Sequence, residues 1–387
     1  MSVSAAENVF DLRQIERAGS SGATATRIAF IDHLRWTMII LVISMHAADT
    51  YSPFGNWYFV QRPPIDPLTR LTFGAWQMYL QSFFMGLLFF VAGVFVPPSI
   101  DRKGSGRFLR DRAFRLGLPV LLYMFVLGPV TEYYISRSWT APYSFVHEWW
   151  HHITDLEILQ ENGPLWFLLA LLIFSAAYAA RYARPREKAP RAAPGSGTLI
   201  AFAVIMALGR FVIRGLFPDR SVFNMHLGDF SQYILLFSAG IIASRSGWLK
   251  TFPYARGLRW MIIVVPLGFA AWLATVQGGS VPDGWNWRSA AFGAWESVTC
   301  VGISAGLLVL YREHANGQNA LTQFLSRNAF SVYVFHPPFV IFGARLLWDL
   351  PWPAVPKFVM LTALATITTF VASELVFRRI PILRSIL

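Results

Sequence analysis

Ten apolar stretches dominate this 387-residue chain, near 30–48, 77–98, 116–136, 164–182, 198–216, 230–244, 260–276, 289–311, 328–347 and 356–377. About 20 apolar residues suffice to carry a helix across the roughly 30 Å hydrocarbon core of a bilayer. In that setting a helix satisfies every backbone N–H and C=O within its own segment. The expected fold class is therefore an all-α polytopic membrane protein with about ten transmembrane helices. Only 14% of the residues are charged, against roughly 25% in a soluble domain.

The formal net charge of +12 would suit a nucleic-acid partner if the basic residues formed a face. They lie instead in short connections between apolar runs. With the N-terminus in the cytoplasm, the segments on that side hold 23 Lys and Arg, and the opposite side holds six (Arg62, Arg70, Arg137, Arg220, Arg288 and Lys357). Such a bias orients membrane proteins and places both termini in the cytoplasm. Dropping the short segment 230–244 would invert every later connection and spoil the bias. The chain then divides into a cytoplasmic N-terminal tail (1–29), a transmembrane domain (30–377) and a cytoplasmic C-terminal tail (378–387). The expected location is the inner (cytoplasmic) membrane, with membrane lipids as partners and no nucleic acid. Residues 1–27 lack the apolar centre of a signal peptide. The single cysteine, Cys300, lies in an apolar run, which leaves no intramolecular disulfide or cysteine-based zinc site. No metal is expected.

The first segment carries the densest chemistry. Arg35 and His46 stand eleven residues apart, nearly three helical turns and roughly 16 Å along the axis, so they share a face. Ionisable groups at such depth usually face a cavity. Asp49, one turn beyond His46, is placed to hold the second ring nitrogen. A His held by a carboxylate suits general base work or attack on an acyl group, and a proton-relay His in a transporter would look the same. Glu132, toward the outer end of the third segment and at the depth expected for His46, is a further catalytic candidate. Glu374 is expected to pair with Arg378.

Between the second and third segments, six basic residues fall within Asp101–Arg115. Arg112 and Arg115, three apart on one helix face, offer the planar donors that suit phosphate. In the ninth segment Tyr333 and His336 share a side and Ser331 is rotated away. Pro337 and Pro338 are expected to break that helix. The outer connections 49–76 and 137–163 are rich in Trp, Tyr and His, as an interfacial belt or as a lid over a central cavity.

These residues resemble the acyltransferase-3 family of membrane O-acyltransferases, closest to the branch of glucan succinyltransferases and fucose acetylase-like proteins. The marks, in family order, are Arg35-x10-His46, Leu88-Phe-Phe-Val-Ala-Gly93, the pair Arg112 and Arg115 ahead of Pro119, Gly163-Pro164-Leu165-Trp166-Phe167-Leu168, and Ser331-Val-Tyr333-Val-Phe-His336-Pro337. Ala92 stands where relatives usually carry Ser. No hydrolase-like domain is expected after the tenth segment.

The resemblance implies acyl transfer from cytoplasmic acyl-CoA, acetyl-CoA first and succinyl-CoA second, to a hydroxyl of an extracytoplasmic carbohydrate. It makes His46, Asp49 and Glu132 the catalytic candidates. Arg35, Arg112 and Arg115 would bind the donor, and Trp166, Tyr333 and His336 would line the cavity or the acceptor site. A transporter or flippase of a polar solute is the rival reading, with Arg35 and His46 as coupling residues. It predicts matching halves, and the sequence has none. A membrane scaffold would need no polar stripe.

Overall fold

The computed structural model describes residues 29–55, 57–136, 143–159, 162–182, 190–218, 221–275 and 282–387. Residues 1–28 of the expected N-terminal tail (1–29) lie outside them. Ten long helices account for the ten apolar segments: α1 (Ala29–Tyr51), α2 (Pro67–Lys103), α3 (Ser105–Tyr133), α5 (Trp166–Ala180), α6 (Ser196–Leu216), α7 (Phe230–Ser246), α8 (Tyr254–Thr275), α9 (Trp287–His314), α10 (Ala320–Leu346) and α11 (Ala354–Leu375). A short helix α4 (Phe145–Thr154) lies between α3 and α5, and α12 (Pro381–Ile386) follows α11. The described strands are a two-residue pair, Ser221–Val222 with Met225–His226.

Among the described residues nine helices are long and apolar enough to cross a membrane, and α1 is not one of them. At 23 residues it has the length, about 34 Å, but it carries Asp32, His33, Arg35, His46 and Asp49. Its packing resolves the conflict: α2, α9, α10 and α11 all lie against it, so its ionisable groups meet protein. The lipid-facing positions belong to α6 and α8, in which only 22% of the apolar window is buried inside the protein.

Several helices start earlier than the apolar segments that marked them, and α2 and α10 show why the sequence reading differed. α2 begins ten residues before the expected segment because Asp66 caps it, accepting from the N–H groups of Leu68 and Thr69. The Thr69 hydroxyl and those N–H groups hold the Asp66 carboxyl below its ordinary range. The predicted break in α10 does not occur, and the helix continues through Pro337 and Pro338. Proline 337 has no N–H for the carbonyl four residues earlier. His336 Nδ1 supplies the missing donor, 2.8 Å from the Tyr333 carbonyl.

α3 is irregular, with wide π turns at Ala113–Gly117 and Tyr123–Leu127, ahead of Pro119 and Pro129. A proline ring crowds the carbonyl one turn earlier, which accounts for the widening. α2 and α7 cross with their backbones in close approach. A Cβ on Gly93 would lie 2.2 Å from the Phe237 carbonyl oxygen, and one on Gly240 would lie 2.1 Å from that of Phe90. Without a hydrophobic drive between helices in lipid, such close backbone contact is what fastens them.

Gly93→Leu must push α2 from α7 and is expected to cost about 3 kcal/mol or more. Gly106→Leu, at an exposed site with nothing within 4 Å of the new Cβ, should be neutral. Thermal unfolding of the two variants in detergent checks the contrast.

Candidate active site

The two marked side chains of α1 do point to one side, and the neighbour they share is α10. Arg35 donates to the Ser326 carbonyl at 3.2 Å and pairs with Asp32 at 3.1 Å. Eleven residues on, His46 lies parallel to His336, with ring centroids 5.4 Å apart. The opposite face of α1 at this end is held by α9 and the residue that follows it: Thr37 accepts from the Tyr311 hydroxyl at 2.8 Å, and His33 Nδ1 donates to the Ala315 carbonyl at 2.6 Å.

His46 Nδ1 lies 3.4 Å from Asp49 Oδ2. This is an ion-pair distance, and the ring N–H is not aligned for a tight hydrogen bond. Asp49 itself is held from two sides. Gln77 of α2, only 2% exposed, donates from Nε2 to Asp49 Oδ1 at 2.7 Å. Gly55 packs on the other side, where a Cβ would stand 2.3 Å from the Asp49 Cα. The connection after α1 then lays the Trp57 indole against His46, centroids 4.1 Å apart and planes within 14°. The connection between α1 and α2 thus covers one face of the imidazole. Because a carbonyl only accepts, the bond from His336 Nδ1 to Tyr333 puts that proton on Nδ1 and the lone pair on Nε2. His336 Nε2 is buried and has no hydrogen-bond partner among the described residues.

Toward the basic end of the bundle, a cavity of about 1180 Å³ opens beside Arg35. Nine Lys and Arg line it against three Asp. Ion pairs occupy several: Arg35 with Asp32, Lys103 with Asp111 at 2.6 Å, and Arg245 with Asp101. Arg112 and Arg115 form no ion pair among the described residues. Both line the cavity although a π turn begins between them. Deeper, the wall becomes apolar, with Ile39, Leu88, Ala92, Phe167 and Tyr333. Ala92 is part of this apolar wall. Arg327 and Arg378 stand at the rim, and here the sequence reading needs correction. Glu374 pairs with Arg327 at 2.9 Å, because Arg378 turns away to the Arg327 carbonyl.

Tyr333 forms the inner wall. Its hydroxyl donates to the Pro164 carbonyl, and its ring lies 6.1 Å from that of His336. The remaining candidates are dispersed. Trp166 packs with Phe89, Phe167 and Tyr233 and makes no described contact with His46. Glu132 sits half-buried at the irregular end of α3, on the Thr131–Ser136 turn that packs against α10. Contacts among the described residues do not join it to His46 or Asp49. Among the described residues no group of three His, Cys, Asp or Glu is arranged to hold a metal.

Sequence reasoning missed Trp57 and Gln77, and it missed a buried ion cluster one turn along α2. Arg210 and Arg214 of α6 share Asp229 and Glu296. Arg210 Nη1 is 2.9 Å from Asp229, and Arg214 Nη1 is 2.7 Å from Glu296 and its Nη2 3.2 Å from Asp229. Gln81 donates to the second Asp229 oxygen at 3.4 Å, and Gln232 accepts from Arg210. Arg210 is fully buried. Two cations and two anions balance, which is the condition for keeping them at such depth. The signal available in the sequence was two Arg four apart within an apolar run.

A family model described as an acyltransferase domain matches residues 28–374, most of the chain. No curated protein matches it.

Glu296→Gln removes a carboxylate from between two buried guanidiniums and is expected to cost about 3–5 kcal/mol. Glu374→Gln, at a partly exposed pair, should cost about 1 kcal/mol or less. Thermal unfolding of the two variants, measured side by side, separates the burial effect from simple loss of charge.

Proposed function

The chain belongs to the acyltransferase-3 family of membrane acyltransferases, and from that premise we propose that it moves an acyl group from cytoplasmic acyl-CoA to a hydroxyl on an extracytoplasmic glycan or similar acceptor. Acetyl is the first donor group to expect and succinyl the second, on the resemblance to the glucan succinyltransferase branch. The observation that carries the reading is the single face of α1, which joins the basic cavity at Arg35 to the His46–Asp49 pair. Both termini lie in the cytoplasm of an inner-membrane protein in this reading, so the basic mouth faces the donor pool.

The residues then divide by chemistry. Arg112 and Arg115, which form no ion pair among the described residues, present planar donors to the phosphates of the coenzyme, and Arg35 stands one step deeper. The apolar wall from Ala92 to Tyr333 suits the uncharged pantetheine arm and keeps water from the thioester. Asp49, fixed by Gln77 and 3.4 Å from His46 Nδ1, favours the proton on that nitrogen by its charge and leaves Nε2 as the base. His46 takes the proton of the acceptor hydroxyl as that oxygen attacks the thioester carbonyl. The C–S bond breaks, and the coenzyme thiolate leaves and is protonated from the imidazolium. Tyr333 stands between the cavity and the imidazoles, so the acyl group passes beside its ring. Trp57, on His46, is suited to stack on a sugar as well.

Transfer of labelled acetyl or succinyl groups from their coenzyme A thioesters, in proteoliposomes with envelope glycans present, tests this reading. His46→Ala should lower labelling by a factor of roughly 10²–10⁴. Arg115→Ala should raise the KM for donor about tenfold with kcat kept, since one charge-assisted contact is lost. Gln77→Leu should instead lower kcat, roughly tenfold, with the donor KM unchanged. Labelling by His46→Ala at the wild-type rate, or failure of the wild type to bind either donor, would contradict the proposal.

A further inference from the structure

A second cavity, of about 890 Å³, runs between α8 and α9, apart from both the basic cavity and the His46 site. Its walls are small or apolar, among them Ile263, Leu267, Ala271, Ala294 and Val298. It opens to the bilayer side: Ile263 and Leu267 are exposed at 51% and 66%, on a helix with little of its apolar length buried. One end of this groove is cationic. Arg256 and Arg259, three apart on α8, share a face there, beside Trp260. Arg256 Nη1 donates to the Pro194 carbonyl at 2.7 Å, which fixes its side chain. Arg259 makes no hydrogen bond or ion pair among the described residues.

We propose that this groove binds a single anionic glycerophospholipid. Its phosphate lies at Arg256 and Arg259, and one acyl chain follows the groove toward Ala271 and Ala294. Three observations converge on that occupant. The guanidiniums lie at the basic end of the bundle, where anionic headgroups collect against Lys and Arg. The fifteen residues from Arg256 to Ala271 span about 22 Å of helix, close to one leaflet with its headgroup layer. The walls beyond the Arg pair offer no charge, as a hydrocarbon chain requires. A transmembrane helix of a second copy would fill the apolar part but would leave Arg259 without an anion. The assignment is independent of the acyl-transfer reaction.

Native mass spectrometry of the full chain in detergent, titrated with phosphatidylglycerol or phosphatidylcholine of equal chain length, provides the test. One phosphatidylglycerol should bind roughly tenfold more tightly than phosphatidylcholine, and Arg259→Glu should abolish that preference. Ala294→Trp, at an exposed position on the groove wall, should lower retention of either lipid by a similar factor. Arg115→Ala, in the other cavity, should leave the preference intact. Equal binding of the two lipids by the wild type would overturn the proposal, and so would an unchanged preference in Arg259→Glu. Loss of the preference in Arg115→Ala would place the lipid in the other cavity. A dimer abolished by Ala294→Trp would give the groove to a second copy, and either result overturns the assignment.

Discussion

Ionisable side chains in a bilayer must be enclosed by protein, and α1 carries five of them on 23 residues. That cost organises the bundle. A helix bearing Asp32, His33, Arg35, His46 and Asp49 has no stable place against lipid, so α2, α9, α10 and α11 surround it. Once enclosed, its stripe leads from the basic cavity to the connection between α1 and α2. The helices that give up burial in exchange, α6 and α8, are almost purely apolar on their outer faces. A cavity with a cationic end lies on α8.

α2 ties this path to the rest of the molecule within little more than one turn. Gln77 reaches Asp49, Gln81 reaches Asp229, and the Ser82 carbonyl accepts from Gln232 at 2.8 Å. The same helix therefore orients the carboxylate beside His46 and anchors the neutral cluster of Arg210, Arg214, Asp229 and Glu296. The glycine crossing at Gly93 and Gly240 continues the same α2–α7 contact further along the helix. Rigid support of this kind is what a positioned imidazole needs, since small displacements at a reacting centre are costly.

Apolar runs were enough to read ten helices, nine of them apolar enough to cross a membrane among the described residues, and helix periodicity was enough to read the shared face of Arg35 and His46, because each follows from one helix alone. Asp49 followed from the same arithmetic. The partners that complete the site did not, because they come from other elements. Gln77 is an amide inside an apolar run, and its role depends on how α2 docks against α1. Trp57 depends on the path of a connection, and its aromatic neighbours gave it no mark of its own. The prolines after His336 illustrate a local rule overridden by a local donor: the His336 ring satisfies the carbonyl that Pro337 abandons. Trp166 and Glu132 lie on family-like or depth-matched positions, yet they make no described contact with the imidazole.

The central claim is that one continuous face of α1 links a coenzyme-binding cavity to His46. A structure of the protein determined by electron cryomicroscopy with coenzyme A bound tests it most directly. The account predicts the phosphates beside Arg112 and Arg115, the pantetheine arm along Ala92 and Phe167, and the thiol ending next to Tyr333. Coenzyme A bound elsewhere, or bound with its thiol directed away from Tyr333 and His336, would contradict it.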